Sequence, residues 1–187
     1  MRNQCTIINY HYVRDTKFTS PYNLKTRSIN EFQNQVDYFK KYFHFITIND
    51  CIDAINNKIL LPENSALLTF DDGYIDHYEN VFPILQERDI KGSFFIPTKV
   101  LKNRKVLDVN KIHFLLAKIT DAKKLIKIIF KYLDHYRKEY LLESNEYLFK
   151  KLAHANRWDS KEIRFIKLLL QTELPSILRK KIINKLF

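Results

Sequence analysis

Glycine is almost missing from this chain: two occur among 187 residues, Gly73 and Gly92, and neither lies beyond Leu101. Cysteine is as scarce. Cys5 and Cys51 alone exclude a disulfide framework, suit a reducing compartment, and are expected to behave as small buried apolar residues with no metal to hold. No stretch approaches the roughly 18 uncharged apolar residues of a membrane helix. The start, Met1 to Cys5, runs into the short apolar segment Thr6 to Val13, interrupted by His11 and followed by Arg14, Asp15 and Lys17, which is not the pattern of a signal peptide. No repeat or low-complexity segment occurs. These absences lead to the expectation of a soluble cytoplasmic protein with no transmembrane helix.

What is present is enough apolar material for a real core, 45% of the residues, and a net charge of +11. The charge is uneven. Residues 1–100 hold 11 Lys and Arg against 12 Asp and Glu, whereas 101–187 hold 21 against 9. A basic segment invites a nucleic-acid or membrane-surface reading, so its distribution matters.

The two parts differ in pattern. In the first, Cys5 to Val13, His44 to Ile48, Ala66 to Phe70 and Ser93 to Ile96 are short, apolar and rich in aromatic or β-branched residues, as strands are. Between the first two, Ser28 and Glu31 form a capping box, with Phe32, Val36, Phe39 and Phe43 behind it at helical spacing. A second helix is expected from an Asn49 cap through Ile52 and Ile55, and a third from about Asn80, with Pro83 in its first turn and Leu85 packed inward. Strand and helix alternating in this way imply an α/β fold with a parallel sheet or barrel, whose chemistry sits at the C-terminal ends of the strands.

After Leu101 the apolar spacing is helical throughout. Val109, Ile112, Leu116 and Ile119 make one stripe, and Leu125, Ile128 and Tyr132 another. Leu148, Leu152 and Ala155 make a third, and Ile163, Ile166 and Leu170 a fourth capped by Ser160. Pro175 opens a fifth with Leu178, Ile182 and Leu186, which reaches Phe187 without a stop signal and suggests an interrupted chain.

The residues that point to chemistry are Leu67-Leu68-Thr69-Phe70-Asp71-Asp72-Gly73-Tyr74, a buried strand ending in two carboxylates and a glycine. Neighbouring side chains on a strand point to opposite faces, so both aspartates serve one site only if the backbone turns there, as Gly73 allows. One carboxylate then ligates a cation while the other works as a base. The plain alternative is an Asp-Gly turn closing a strand.

Four segments in order resemble the polysaccharide deacetylase, or NodB-homology, domain of carbohydrate esterase family four. Ile7-Ile8-Asn9-Tyr10-His11-Tyr12-Val13 looks like its first strand, and Glu31-Phe32 with Gln35 and Tyr38 like its first helix. Thr69 to Gly73 matches its first catalytic motif, and Gly92-Ser93-Phe94-Phe95-Ile96-Pro97-Thr98 looks like the strand that follows. The resemblance covers about the first hundred residues. It implies the N-terminal portion of a distorted (β/α) barrel in 1–100, with Asp71 as general base and Asp72 as ligand to a divalent metal, commonly zinc. The reaction it implies is hydrolysis of an acetamide on an N-acetylated saccharide. The metal would polarise the carbonyl and bind water, and the metal and a backbone N–H would hold the oxyanion.

One departure is as informative. The family's second motif places two metal-binding histidines four residues apart, and among His11, His44, His77, His113, His135 and His154 no pair has that spacing. The later motifs, with an arginine, a tryptophan and the general-acid histidine, are also absent, and a catalytic zinc normally takes three protein ligands. Some relatives carry a helical insertion after the Phe-Phe-Ile-Pro-Thr strand. Residues 101–187 resemble it, with Asp108 to His113 as its opening, so the expectation is a basic all-α insertion cut short, and a chain inactive in isolation.

Among other candidates, His11 and Tyr74 are weaker substrate-site residues, although a histidine closing a strand is more often structural. His77 is expected on an exposed helix start, and His113, His135 and His154 lack partners at ligand spacing. Thr98 and Lys99 read as a polar loop, and Trp158 beside Arg157 as a packing anchor. The rival from another class is a basic helical module binding nucleic acid or an anionic surface, against which the basic residues are spread over several helices. A non-catalytic deacetylase remnant is the third reading. A partial barrel leaves open sheet edges, so self-association is expected.

Overall fold

The computed structural model describes residues 4–15 and 24–187; Met1 and Lys17 of the N-terminal reading lie outside the described residues. Two compact units divide the chain: the described residues up to Asn103 other than Leu24, and Leu24 with Arg104–Phe187. No helix among the described residues is long and apolar enough to cross a membrane.

In the first unit β1 (Cys5–Tyr10), β2 (His44–Phe45), β3 (Ser65–Asp71) and β4 (Gly92–Phe95) form one sheet in which every pairing is parallel. β3 is its centre. β1 runs along one side of it, Cys5 opposite Ser65 through Tyr10 opposite Phe70. β2 and β4 share the other side in series, β2 at Ser65 and Ala66 and β4 from Leu68 to Asp71. Ser65 through Phe70 are all buried, which is why the strand reads as a continuous apolar run with no alternation.

Helix α1 (Ile29–Tyr42) starts at the Ser28–Glu31 capping box, which is formed on both sides, and buries Phe32 and Val36. Helix α2 (Ile48–Ile55) is capped by Thr47 and Asp50, not by Asn49. A second complete capping box, Thr47 with Asp50, starts two residues before the asparagine, and so the strand before it ends at Phe45, short of Ile48. Pro83 stands in the first turn of α3 (Phe82–Glu87), where Leu85 is 2% exposed. One wide π-helical turn, His77–Val81, precedes it. The core gathers Tyr10, Phe32, Val36, Leu68, Phe70 and Leu85. Phe70 stacks on Tyr10 at 5.6 Å and on Phe94 at 4.8 Å between ring centroids. Gly92 is small because a Cβ there would lie 2.8 Å from the Phe70 ring and 3.0 Å from Leu85. Cys5 and Cys51 are half-buried, short of full burial. Thr98 and Lys99 start the short helix α4 (Thr98–Asn103), so the polar-loop reading is corrected: the chain turns helical directly after Pro97.

In the second unit α5 (Asp108–Lys118), α6 (Ala122–Tyr140), α7 (Asn145–Leu152), α8 (Lys161–Leu168) and α9 (Ser176–Leu186) pack around one apolar cluster. Ser160 caps α8 as read, and Asp121 and Ser144 cap α6 and α7. The buried stripe of α6 is Leu125, Ile126, Ile129 and Leu133, and Ile128 is 45% exposed. The period is right and its phase is turned by one residue. Ala155 falls beyond the end of α7 and is exposed. Trp158 is 70% exposed with the Arg157 guanidinium 4.7 Å from its ring, so it is not a packing anchor. Lysines of this unit are dispersed into ion pairs such as Lys151–Glu173, Lys167–Asp159 and Lys181–Glu139.

Candidate active site

The ladder of β3 ends at Asp71, and the chain then turns through two consecutive residues in the left-handed region, Asp72 at φ 74° and Gly73 at φ 63°. Glycine adopts that conformation freely, while aspartate does so at a cost of roughly 1–2 kcal/mol. A Cβ on Gly73 would also approach Ile96 to 2.8 Å. The turn thus breaks the alternation of the strand directly after the first aspartate.

The two carboxylates enter different surroundings. Asn9, near the end of β1, donates its amide to Asp71 Oδ2 at 2.9 Å, and Thr69 donates its hydroxyl to the Asn9 carbonyl oxygen at 2.9 Å. The Thr69 bond orients the Asn9 amide so that its N–H₂ must face Asp71. Asp72 Oδ2 accepts a 2.6 Å hydrogen bond from the Tyr74 hydroxyl and lies 3.5 Å from Nδ1 of His11. Tyr74 stacks on Tyr12 at 4.3 Å, and its phenol is pushed well above the ordinary tyrosine range, first by burial and then by the Asp72 hydrogen bond.

His11 lies one residue beyond the end of β1, which stops at Tyr10, three residues earlier than the apolar run suggests. Its side chain is 52% exposed. Its carbonyl accepts from His77 Nε2 at 2.6 Å, which fixes His77 as the Nε2–H tautomer. His77 is 4% exposed, packed on Phe70 and Tyr74, with no hydrogen-bond partner at Nδ1 among the described residues. The exposed helix start expected for it is corrected, because the π turn points its ring inward. Asp76 and Arg14 form a bidentate ion pair beside it.

Of the residues singled out in the sequence, His11, Asp72 and Tyr74 meet at one carboxylate oxygen, and Asp71 stands beside them on the strand. Asn9, Thr69 and Asp76 were not singled out, and Asn80 reads as a helix start and not as a site residue. Asn9 and Thr69 lie opposite each other in the β1–β3 register, a signal visible only once the strands are paired. Among the described residues no three His, Cys, Asp or Glu side chains gather to hold a metal ion. Asp72 with His11 offers two donors, one fewer than a catalytic zinc takes, so the described residues do not by themselves fit zinc.

Residues 58–129 match the polysaccharide deacetylase family, a span that includes β3, the aspartate turn and β4 and continues into α6. The chain is 29% identical over 107 residues to poly-β-1,6-N-acetyl-D-glucosamine N-deacetylase of Staphylococcus aureus strain MSSA476, taking in 51% of this chain and 37% of the relative. It thus spans little more than a third of the length of the curated relatives it matches. Among solved structures, IcaB from Ammonifex degensii is similar at 31% identity, over 51% of this chain and 39% of that one, with a TM-score of 0.44. A de-N-acetylase from Aggregatibacter actinomycetemcomitans is also 31% identical, over 48% and 36% of the two chains, with a TM-score of 0.43. With its aspartate turn inside the matched span, the chain is similar to part of a polysaccharide deacetylase domain.

Proposed function

We propose that this part of the domain serves the removal of N-acetyl groups from a saccharide, with Asp71 as the base. The observation that carries the reading is the turn at the end of β3, which sets Asp71 against Asn9 and Asp72 against His11 and Tyr74. Water adds to the acetamide carbonyl while Asp71 takes its proton, through Oδ1, since Oδ2 is held by Asn9. The C–N bond then breaks, His11 gives a proton to the departing amine, and acetate and a free amino sugar leave. His77 is buried, whereas His11 is half-exposed and adjacent to Asp72, and in this reading His11 replaces the acid expected from later motifs.

Asp72 is the carboxylate assigned to a divalent cation, whose remaining ligands would come from outside the described residues. The isolated chain is accordingly proposed to be inactive, whether as a piece of an enzyme or as a remnant. The basic helical module has less to support it, because the lysines of the second unit are spread into separate ion pairs.

The test is a graft. The stretch of the Staphylococcus aureus relative that matches this chain is replaced by the chain's own residues, and acetate release from N-acetylglucosamine oligomers is followed. Retained hydrolysis that falls by about 10²–10⁴-fold on Asp71→Asn is expected. A folded graft with no hydrolysis would sink the reading.

A further inference from the structure

Past Tyr10 the chain has left the sheet, and the segment His11 to Arg14 is joined to other backbone by an isolated bridge between Val13 and Arg27. Ladder bonds therefore do not place His11. Side chains from the turn after the aspartates do. Asp76, 2% exposed, accepts from the Val13 N–H at 3.1 Å and from Arg14 Nε at 2.9 Å, and its other oxygen takes a second Arg14 N–H. His77 donates to the His11 carbonyl at 2.6 Å and Asn80 to the Val13 carbonyl at 2.8 Å. Three side chains within five residues thus fasten a segment 62 to 67 positions away in sequence. The Arg14 guanidinium, held by Asp76, lies 5.3 Å from the Tyr12 ring and 5.8 Å from the Tyr74 ring, and Tyr74 bonds Asp72.

We infer that Asp76 is a positioning residue, the buried anchor that holds the His11–Arg14 segment over the aspartate turn and so keeps His11 beside Asp72. The inference rests on the proposed reading of His11 and the aspartates as one site. Asp76 acts through Val13 and Arg14 and not on the substrate. A carboxylate is required because the partly buried Arg14 guanidinium, its side chain 24% exposed, takes a bidentate, charged acceptor, and the Asp76 carboxylate, 3% exposed, would be left buried and unpaired without it.

The test uses the full chain and needs no catalysis. The polar tips of His11 and Tyr74 meet at one Asp72 oxygen, so NMR cross-peaks between the two rings report the geometry. In Asp76→Asn these cross-peaks are expected to be lost while those joining Ile8 of β1 to Leu68 of β3 persist. Should Asp76→Asn fail to fold, Arg14→Lys decides, since lysine keeps the charge and loses the fork. Retention of the His11–Tyr74 cross-peaks in a folded variant overturns the inference. The graft assay decides the proposed reaction separately, so a negative result there leaves this measurement fully readable.

Discussion

At the scale of single residues, burial decides which polar groups keep their ordinary chemistry. Tyr10 is 8% exposed, and its hydroxyl donates to Gln35 at 3.0 Å. Burial pushes its phenol from 10.0 up to about 12, with Arg27 opposing weakly. A raised pKa on a group that ionises to an anion means the folded state keeps the proton longer than the unfolded one. The stabilising effect is therefore complete below pH 10 and disappears as pH climbs through about 12. A phenolate absorbance titration should show Tyr10 and Tyr74 titrating later than the other tyrosines, and Tyr10→Phe should remove the step near pH 12 and lose less stability over this interval than the parent. A uniform titration of all tyrosines near their ordinary value would contradict the placement of Tyr10.

At the scale of elements, the second unit has no glycine with which to end a helix, and the consequence is visible at α6. That helix stops at Leu141, a left-handed residue at φ 52° whose side chain is 91% exposed. Left-handed backbone costs a leucine roughly 1–2 kcal/mol, while glycine costs about 0.4–1 kcal/mol in unfolded-state entropy. Leu141→Gly should therefore raise the unfolding free energy by about 0.5–1 kcal/mol in urea titrations, with no packing lost. What was legible in the sequence follows the same local logic. The Ser28–Glu31 box, the Ser160 cap and the β3 run were readable because their determinants lie within a few residues of one another. Thr47 was hidden by the neighbouring Asn49, which has the same cap chemistry. The phase of α6 was blurred by adjacent apolar residues, Ile126 with Leu125 and Ile128 with Ile129. At the site, Asp71 and Asp72 stood out as a pair, but the buried His77 and the Asn9–Thr69 relay depend on residues some sixty positions away. Periodicity carries no information about such contacts.

At the scale of the whole chain, β1 has β3 on one side and no strand on the other among the described residues. Ile7 on β1 is 61% exposed, and Phe95 and Ile96 at the end of β4 are 51% and 52% exposed. Unpaired strand edges beside exposed apolar side chains favour association. Sedimentation should show the average mass rising with concentration, and Ile7→Lys should suppress the rise. A single mass at all concentrations would exclude it. The position of β3 has a kinetic meaning as well. Each pairing in the sheet includes that strand, and its partners begin sixty positions upstream at Cys5 and end at Phe95, with β2 opposite Ser65 in between. Two of the strands cannot pair first and wait for the others, because β1, β2 and β4 have nothing to pair with until β3 arrives. The sheet therefore cannot begin without β3, and its assembly must wait on closing long loops. The amide protons of β1 and β4 should then gain protection from exchange no sooner than those of β3, whichever outer strand is watched.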